Sequence, residues 1–485
     1  MRFGLPFLSA ALLWLSFPPV NLWPLAWIAL VPWFVYLLEE PKAWRALLVS
    51  YASGFCFFTI GFGWLRHVAI IAPPACGLVF GLHWLLFAVA VRQLRAPRLL
   101  AWPVAWILLE WLRGSTPHVR MPWFNLGHTQ IYFYPLAQCA DLAGVPLISA
   151  LMIAMNALLV DAVRQRRAFI PDAAWRRSAI GWGAAFAAVL AYGGLRAATL
   201  ETEPGPTLLL VQPNIPQDRK EIVLKLQGTR EERMKWMNEI YERDLRLTRE
   251  GMSRQSTRPD LIVWPEAAVV HPVYVEGGEL TVNRRLATGP AREHRTDFLI
   301  GLLLYELEAD PVRNFNSALL VRSDGAVAGR YDKIVLVPFG EYIPLGFMRS
   351  FAASYSGLGS FPDTTPGREP LRLESAGIPF GTAICFEGVM PGICRSNARN
   401  GARFIVNISN DGWFRDSSEL DQILVITRFR SIENRVGFVR ATNTGISAFI
   451  APDGAVQSML AAPDGATKEV EGVLADRVTL ARGGS

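Results

Sequence analysis

Residues 381–387 read GTAICFE, a short β-rich apolar run with a cysteine at its end. Two earlier stretches have the same design, an apolar strand with a reactive side chain at or beside one end. They are LIVWPE at 261–266 and YDKIVLVPFGE at 331–341. Ligands of α/β folds usually bind where strands end, so the three stretches predict one shared site. Its reactive residues are Glu266, Lys333 and Cys385.

These stretches belong to a region in which short β-rich runs alternate with polar helical stretches. The pattern predicts a layered α/β domain over residues 205–478, followed by a polar tail at 479–485. Asp324-Gly325 and Asp453-Gly454 are typical of hairpin turns. The predicted strands are 207–211, 261–264, 298–304, 317–322, 382–385, 404–408 and 446–451, and the predicted helices are 229–250 and 420–434.

The chain before this domain has a different texture. Of the 485 residues, 51% are hydrophobic and 16 are tryptophan, which is typical of a membrane protein. Apolar stretches recur at the spacing of bilayer-spanning helices, so residues 1–200 are predicted to form a transmembrane bundle of about seven spans. A cleaved signal peptide is the alternative for the first stretch, although Pro18-Pro19 and the lack of a small-residue cleavage site favour a retained span. The predicted spans are 3–20, 22–38, 46–65, 68–91, 99–112, 142–163 and 178–195.

The basic residues set the expected orientation. The net charge is +6, and much of it lies in alternate short loops between the apolar stretches. Positively charged loops stay in the cytoplasm, so an odd number of spans places the α/β domain outside it. This distribution predicts a multi-pass protein of a bacterial inner membrane with a periplasmic domain, and it argues against nucleic-acid binding. The basic loop residues are Arg2, Lys42, Arg45, Arg92, Arg95, Arg98, Arg164, Arg166, Arg167, Arg176 and Arg177.

A cysteine, a glutamate and a lysine together suit covalent acyl transfer. A free thiol has a pKa near ~8.5 and needs a base or a positive neighbour to react at neutral pH. A glutamate supplies the base, and a lysine stabilises the oxyanion of a tetrahedral intermediate. Taken singly, each residue has an ordinary structural explanation, and Cys385 could instead pair with Cys394 in an oxidising compartment.

The motifs WPE, YDK-x-x-LVPFGEY and ICFE, in this order, resemble the Glu–Lys–Cys set of the nitrilase superfamily. With the preceding membrane bundle they are similar to one branch, the apolipoprotein N-acyltransferases. The resemblance implies an αββα sandwich domain beside a multi-span helical bundle. Further stretches that match are PWFNLG at 122–127, VQPNIPQ at 211–217, NISNDGWF at 407–414 and RATNTGI at 440–446.

The resemblance also implies the roles of individual residues. Glu266 is the general base, Lys333 stabilises the oxyanion and Cys385 is the nucleophile of a ping-pong reaction through a thioester. The backbone N–H of Phe386 is expected to assist Lys333. The supporting residues are Glu341, Glu387, Phe386, Asn410 and Trp413.

The implied partners are a glycerophospholipid as acyl donor, an S-diacylglyceryl apolipoprotein whose terminal amine accepts the acyl group, and the bilayer. A monomer without cofactor or metal is expected. Two departures from the family pattern stand out: Glu221 follows Lys220 where members carry a tryptophan, for which Trp236 could substitute, and no C-terminal membrane helix follows the domain. A mobile lid is expected within residues 350–362.

Two other functions fit parts of the sequence. One is a membrane-tethered amidase or nitrilase that passes the acyl group to water. The other is a non-catalytic, lipid-binding membrane scaffold with a degenerate nitrilase fold. The membrane bundle argues against a soluble amide as substrate, and the three filled reactive positions argue against a decayed site.

Overall fold

The computed structural model describes residues 2–168, 173–224, 228–310, 312–344 and 363–483. The chain divides into two compact units. The first comprises Met1–Thr199 together with Ser417–Glu433, and the second comprises Leu200–Asp416 together with Asn434–Ser485. The segment predicted as a lid, 350–362, lies outside the described residues.

The first unit is helical. Short 3-10 helices, at Trp23–Trp27, Gly63–His67 and Leu126–Tyr132, separate some of its α-helices. The α-helices are α1 (Gly4–Leu15), α2 (Val31–Glu39), α3 (Ala43–Gly61), α4 (Ala72–Gln93), α5 (Arg98–Ser115), α6 (Tyr134–Ala137), α7 (Ala140–Ala143), α8 (Val145–Ala168) and α9 (Ala173–Thr199).

Four helices in the described part of the chain are long and apolar enough to cross a membrane, namely α3, α4, α8 and α9. The 19 residues of α3 extend over ~28 Å at ~1.5 Å per residue, close to the thickness of the hydrocarbon layer. Within α9, Gly193 is the sole buried residue, so this helix exposes its apolar side chains around its circumference. Such a surface is suited to lipid.

The other three predicted spans are shorter or interrupted. The stretch 3–20 contains α1 of 12 residues, and 22–38 is broken into a 3-10 helix and α2 of nine residues. The stretch 99–112 lies in α5, where Glu110 and Arg113 are both buried. Glu110 accepts hydrogen bonds from Trp106 Nε1 and Leu126 N, both at 2.7 Å, and Arg113 donates to Asn125 Oδ1 at 2.9 Å. The buried charges thus hold the PWFNLG segment inside the unit.

The second unit is built on two β-sheets. In the first sheet, β5 pairs with β6 along its whole length, and β6 in turn pairs with β7. On its other edge β5 pairs with β2 near its start and with β3 farther along, while β1 joins β2 to β14. The strands are β1 (Thr202–Gln212), β2 (Leu261–Val263), β3 (Val269–Glu276), β4 (Glu279–Leu280), β5 (Asp297–Glu306), β6 (Arg313–Val321), β7 (Val327–Asp332) and β14 (Gly472–Ala481).

The second sheet has the order β13-β12-β11-β10-β9-β8, and its three central strands are parallel. The carboxyl ends of β9, β10 and β11 therefore lie at the same edge of this sheet. Its strands are β8 (Arg372–Ser375), β9 (Ile378–Ile384), β10 (Phe404–Ser409), β11 (Gly437–Thr442), β12 (Ala448–Ile450) and β13 (Val456–Met459).

The two sheets pack face to face. Leu210 and Val263 of the first sheet share one core with Phe404 and Val406 of the second. The opposite face of the first sheet is covered by α11 (Arg230–Ser253) and α12 (Arg284–His294), and α10 (Gln217–Leu224) packs against α11. On the second sheet, α13 (Pro391–Arg399) packs against β9 and β10. This layering agrees with the predicted nitrilase-like fold.

Two details differ from the expected boundaries. Strand β14 pairs with β1 through Ala481, so the predicted tail boundary at 478 falls inside a strand. The helix after β10, α14 (Ser418–Asn434), belongs to the first unit up to Glu433, although the sequence places it within the α/β domain. Glu433 Oε1 accepts a hydrogen bond from Val145 N at 3.1 Å, which fixes the end of α14 to the start of α8.

Candidate active site

Glu266 occupies the gap between two strands that share one edge of β5. Trp264 N donates to Leu299 O at 2.9 Å before the gap, and Ala268 N donates to Gly301 O at 2.9 Å after it. A Cβ on Gly301 would lie 2.2 Å from Pro265 O, so the strand needs glycine here for the turn to pass. The glutamate is thereby presented from rigid sheet structure.

Two donors hold the Glu266 carboxylate. Its Oε1 accepts from Asn316 Nδ2 at 2.7 Å, and its Oε2 accepts from the backbone N of Asn410 at 2.9 Å. The side chain is 7% exposed. A buried carboxylate with both oxygens bonded has a fixed orientation, as a general base requires.

Lys333 lies immediately after β7, and its side chain is 1% exposed. Its Nζ is 2.9 Å from Glu341 Oε1 and 3.6 Å from Glu266 Oε1. Asn316 Nδ2 also donates to Glu341 Oε1 at 3.0 Å. One lysine and two carboxylates thus form a single cluster, buried except at Glu341, that Asn316 bridges.

Cys385 follows β9 and begins a 3-10 helix, Cys385–Val389, with a left-handed φ of 54°. Asn407 Nδ2 of the neighbouring strand donates to Cys385 O at 3.2 Å and supports this conformation. Strained backbone of this kind concentrates at functional sites. Phe386, the next residue, is half-buried in the first turn of the same helix.

The charges around Cys385 come from the cluster just described. Burial raises the pKa of the thiol, Glu266 raises it further and Lys333 lowers it. Burial likewise raises the pKa of Glu266, against the charge of Lys333. Burial lowers the pKa of Lys333, but the acidic groups around it, first among them Glu341, raise it above the usual lysine value. These shifts favour a neutral thiol beside a charged ammonium.

Glu387 has a different place from the other acidic residues. Its carboxylate accepts from Ile334 N at 2.7 Å, Val335 N at 2.9 Å, Tyr331 Oη at 2.7 Å and Ile384 N at 2.9 Å. It therefore ties the segment that carries the lysine to the strand that carries the cysteine. Burial raises its pKa, and the backbone donors lower it.

The two remaining predicted residues lie after β10. Asn410 Nδ2 donates to Gln217 Oε1, and its Oδ1 accepts from Asn443 Nδ2, both at 2.9 Å. Asn410 thus connects the glutamate to the ends of β10 and β11. Trp413 is half-buried in the 3-10 helix Asp411–Phe414.

Sequence reasoning missed several residues that build this site. Asn316 lies inside a strand, where a lone polar side chain gives no signal. Arg440 is fully buried and donates to Asn407 Oδ1 at 2.9 Å and to Asp411 Oδ2 at 2.7 Å. The stretch RATNTGI does contain Arg440, but its polar residues give no strand signal for β11. Only the fold shows that this arginine fixes Asn407 and Asp411.

Comparison with known proteins bears on both units. Residues 9–158 match the family model described as the apolipoprotein N-acyltransferase N-terminal domain, and residues 210–481 match the carbon-nitrogen hydrolase model. Among solved structures, Saccharomyces cerevisiae Nit3, a member of branch 10 of the nitrilase superfamily, has a TM-score of 0.41 at 16% identity, with 57% of this chain and 91% of that chain covered.

Curated relatives match along most of their length. The apolipoprotein N-acyltransferase of Geobacter metallireducens is 33% identical over 469 residues, which cover 93% of this chain and 85% of that protein. The protein of the same name from Vibrio cholerae is 29% identical over 499 residues, covering 97% and 89%. That of Bradyrhizobium diazoefficiens is 30% identical over 493 residues, covering 92% and 84%.

Proposed function

This chain belongs to the apolipoprotein N-acyltransferase family, and on that premise we propose that it transfers a fatty acyl group from a glycerophospholipid to the terminal amine of an S-diacylglyceryl apolipoprotein. The observation that carries the proposal is the buried cluster in which Glu266 and Lys333 lie 3.6 Å apart and share an electrostatic environment with Cys385. Base, cation and thiol are the groups that covalent acyl transfer needs.

In the first half-reaction Cys385 Sγ attacks the ester carbonyl carbon of the phospholipid. Glu266 takes the thiol proton, and Lys333 Nζ with the N–H of Phe386 stabilises the negative oxygen of the tetrahedral intermediate. The ester C–O bond then breaks, and Glu266 returns the proton to the departing lysophospholipid oxygen. The product is a thioester on Cys385.

In the second half-reaction the free α-amine of the apolipoprotein attacks the thioester carbon. An α-amino group has a pKa near ~8, so a substantial neutral fraction is present at neutral pH. Glu266 takes a proton from the nitrogen and delivers it to the departing sulfur, which restores the thiol. Glu341 holds the ammonium group of Lys333 throughout.

A membrane phospholipid is the donor that suits this architecture. A C16 acyl chain has about 14 methylenes at ~0.8 kcal/mol each, so moving it through water would cost on the order of 10 kcal/mol. An enzyme whose own chain carries apolar helices such as α4, with 22 residues, can take the acyl group at the bilayer. The alternative acceptor, water, would give a free fatty acid instead.

We also propose that the protein lies in a bacterial inner membrane with its second unit in the periplasm. The distribution of loop arginines and lysines supports this orientation. A monomer is the proposed active form, because Glu266, Lys333 and Cys385 come together within one chain. The expected substitution of Trp236 for the missing family tryptophan stays a prediction; its ring stacks on the Arg219 guanidinium at 4.1 Å.

Mass spectrometry of the purified protein with phospholipid tests the proposal. We expect an acyl mass gain on Cys385 that hydroxylamine reverses and that disappears in Cys385→Ala. Cys394→Ala is the matched control, since Cys394 is a buried thiol of the same unit. In this variant the adduct on Cys385 should persist. An adduct on another residue, or fatty acid and no N-acylated lipoprotein after addition of the acceptor, would overturn the assignment.

A further inference from the structure

We propose that Lys220 is a positioning residue that holds the backbone turn bearing the general base Glu266. The inference rests on the proposed function, because it assigns Glu266 the role of base. Lys220 comes from α10 and Asp244 from α11, whereas Glu266 lies between strands. The three residues thus join two helices to the gap in the first sheet.

The contacts of Lys220 are made with the backbone of the turn that carries the base. Its Nζ donates to Glu266 O and to Ala267 O, both at 3.2 Å. Ala267 has a left-handed φ of 47°, a conformation that is unfavourable for a non-glycine residue. Two charge-assisted hydrogen bonds on successive carbonyls stabilise this turn where the side chain of Glu266 leaves it.

The surroundings of Lys220 show that its ammonium group is not a solvated surface charge. Lys220 and Asp244 are both 0% exposed. Among the described residues, neither Asp244 carboxylate oxygen has a hydrogen-bond partner. Burial raises the pKa of the Asp244 carboxyl to about 8, and the charge of Lys220 opposes that rise.

Lys220 also acts on the ionisation of the base. The groups that face Glu266 are Lys333, Glu341, Cys385 and Lys220, and those that face Lys220 are Asp244 and Glu266. Burial raises the pKa of Glu266, and Lys220 is one of two lysines that lower it. Burial lowers the pKa of Lys220, against the raising effect of Asp244. Removing the Lys220 charge should therefore raise the pKa of Glu266 further.

A lysine that merely fills the interior would affect folding and nothing else. Breaking a buried charge pair by removing one partner is destabilising, whereas removing both charges relieves much of that cost. The double variant Lys220→Met/Asp244→Asn therefore separates the two roles. It should regain stability while the contacts to the Glu266 turn stay absent.

The experiment uses the full-length protein in detergent and reads the pH dependence of two rates. One is acyl-enzyme formation from phospholipid; the other is alkylation of Cys385 by iodoacetamide, which needs the base but no lipid. For Lys220→Met/Asp244→Asn we expect both rates to fall roughly 10- to 100-fold, with an unchanged KM for phospholipid. The acid limb of both profiles should move to higher pH.

Two single variants complete the set. Asp244→Asn keeps the Lys220 contacts and should retain most of the acylation rate. Lys235→Met is the matched control, because Lys235 is an exposed lysine of α11, and it should behave as the unaltered protein does. Lys220→Met alone should have the lowest melting temperature.

A double variant with unaltered rates and an unaltered acid limb would overturn the proposal, and so would a loss of rate that follows melting temperature alone. The alkylation profile keeps this result separate from the proposed function. If that profile shifts as expected while no lipid adduct forms on Cys385, the positioning role stands and the proposed acyl transfer fails.

Discussion

Glu387 accepts four hydrogen bonds from two segments of the site, so replacing it tests how the lysine and cysteine are held in register. In Glu387→Gln one oxygen becomes an NH₂ group that faces donors. We expect a loss of about 2–3 kcal/mol of unfolding free energy and at least tenfold slower acylation. Denaturant unfolding and single-turnover acylation measure the two effects.

The matched control for Glu387 is Tyr331→Phe, which removes only one of its four donors. A loss of about 1 kcal/mol is expected for it. Equal stability of Glu387→Gln and the unaltered protein would contradict the bracing role.

Glu341 gives a pH prediction with a definite sign. Its negative charge raises the pKa of Glu266, so Glu341→Gln should lower that pKa. A base acts when ionised, and the acid limb of Cys385 alkylation by iodoacetamide should therefore move to lower pH, opposite to the shift expected without Lys220. The maximal rate should also fall, because the neutral amide holds the Lys333 ammonium less strongly.

The control for Glu341 is Glu374→Gln, which changes an exposed acidic residue of β8 and should leave the profile in place. An upward shift in Glu341→Gln would show that this charge does not act on the base.

At the residue scale, the sequence predicts the reactive residues better than the residues that hold them in place. Each reactive residue ends or flanks an apolar run, which singles it out. Asn316 and Lys220 hold Glu266 through 2.7 Å and 3.2 Å contacts, but neither carries such a signal. A helical lysine near an acidic residue is normally a solvated pair, and only tertiary structure buries this one.

At the scale of elements, Gly301 is the position where β5 admits the turn that bears Glu266. In Gly301→Ala the new Cβ would lie 2.2 Å from a backbone oxygen, which cannot swing away as a flexible side chain would. We expect a loss of about 1–3 kcal/mol of stability and a larger loss of acylation, since Glu266, the proposed base, is displaced. Thermal unfolding and single-turnover acylation measure these changes.

Gly289→Ala is the control for Gly301→Ala. Gly289 lies in α12 directly before Pro290, with open space around an added Cβ, so alanine there should leave stability and acylation nearly unchanged. Unchanged activity of Gly301→Ala would mean that the turn is not fixed by the strand.

The elements that the sequence predicts well are those with one clear period and one turn signal. The Asp-Gly pairs at 324–325 and 453–454 do join antiparallel strands, β6 to β7 and β12 to β13. Helix α11 begins at a capping box formed by Thr229 and Glu232. By contrast α14 reads as a polar helix because of its charged residues, yet most of its side chains are buried, including Arg430.

At the scale of the whole molecule, one unit of the chain is suited to water and the other to lipid. The second unit buries its apolar residues between its sheets, whereas helix α9 leaves Ile180 72% and Leu195 65% exposed. Exposed apolar surface of this extent is stable in lipid and costly in water. The composition of the sequence indicates this division. Hydropathy alone, however, predicts full membrane spans at 3–20 and 22–38, where the structure has the short helices α1 and α2.

The orientation of the membrane unit can be tested with two introduced cysteines. In a background with all five native cysteines replaced by serine, Arg95→Cys lies in a basic loop and Glu308→Cys lies between β5 and β6, and both positions are exposed. Since positively charged loops remain in the cytoplasm, a membrane-impermeant maleimide should label Glu308→Cys in intact spheroplasts. Arg95→Cys should react only after the membrane is opened, and detergent-treated cells, in which both react, are the control. The reverse pattern would place the second unit in the cytoplasm and contradict the proposed orientation.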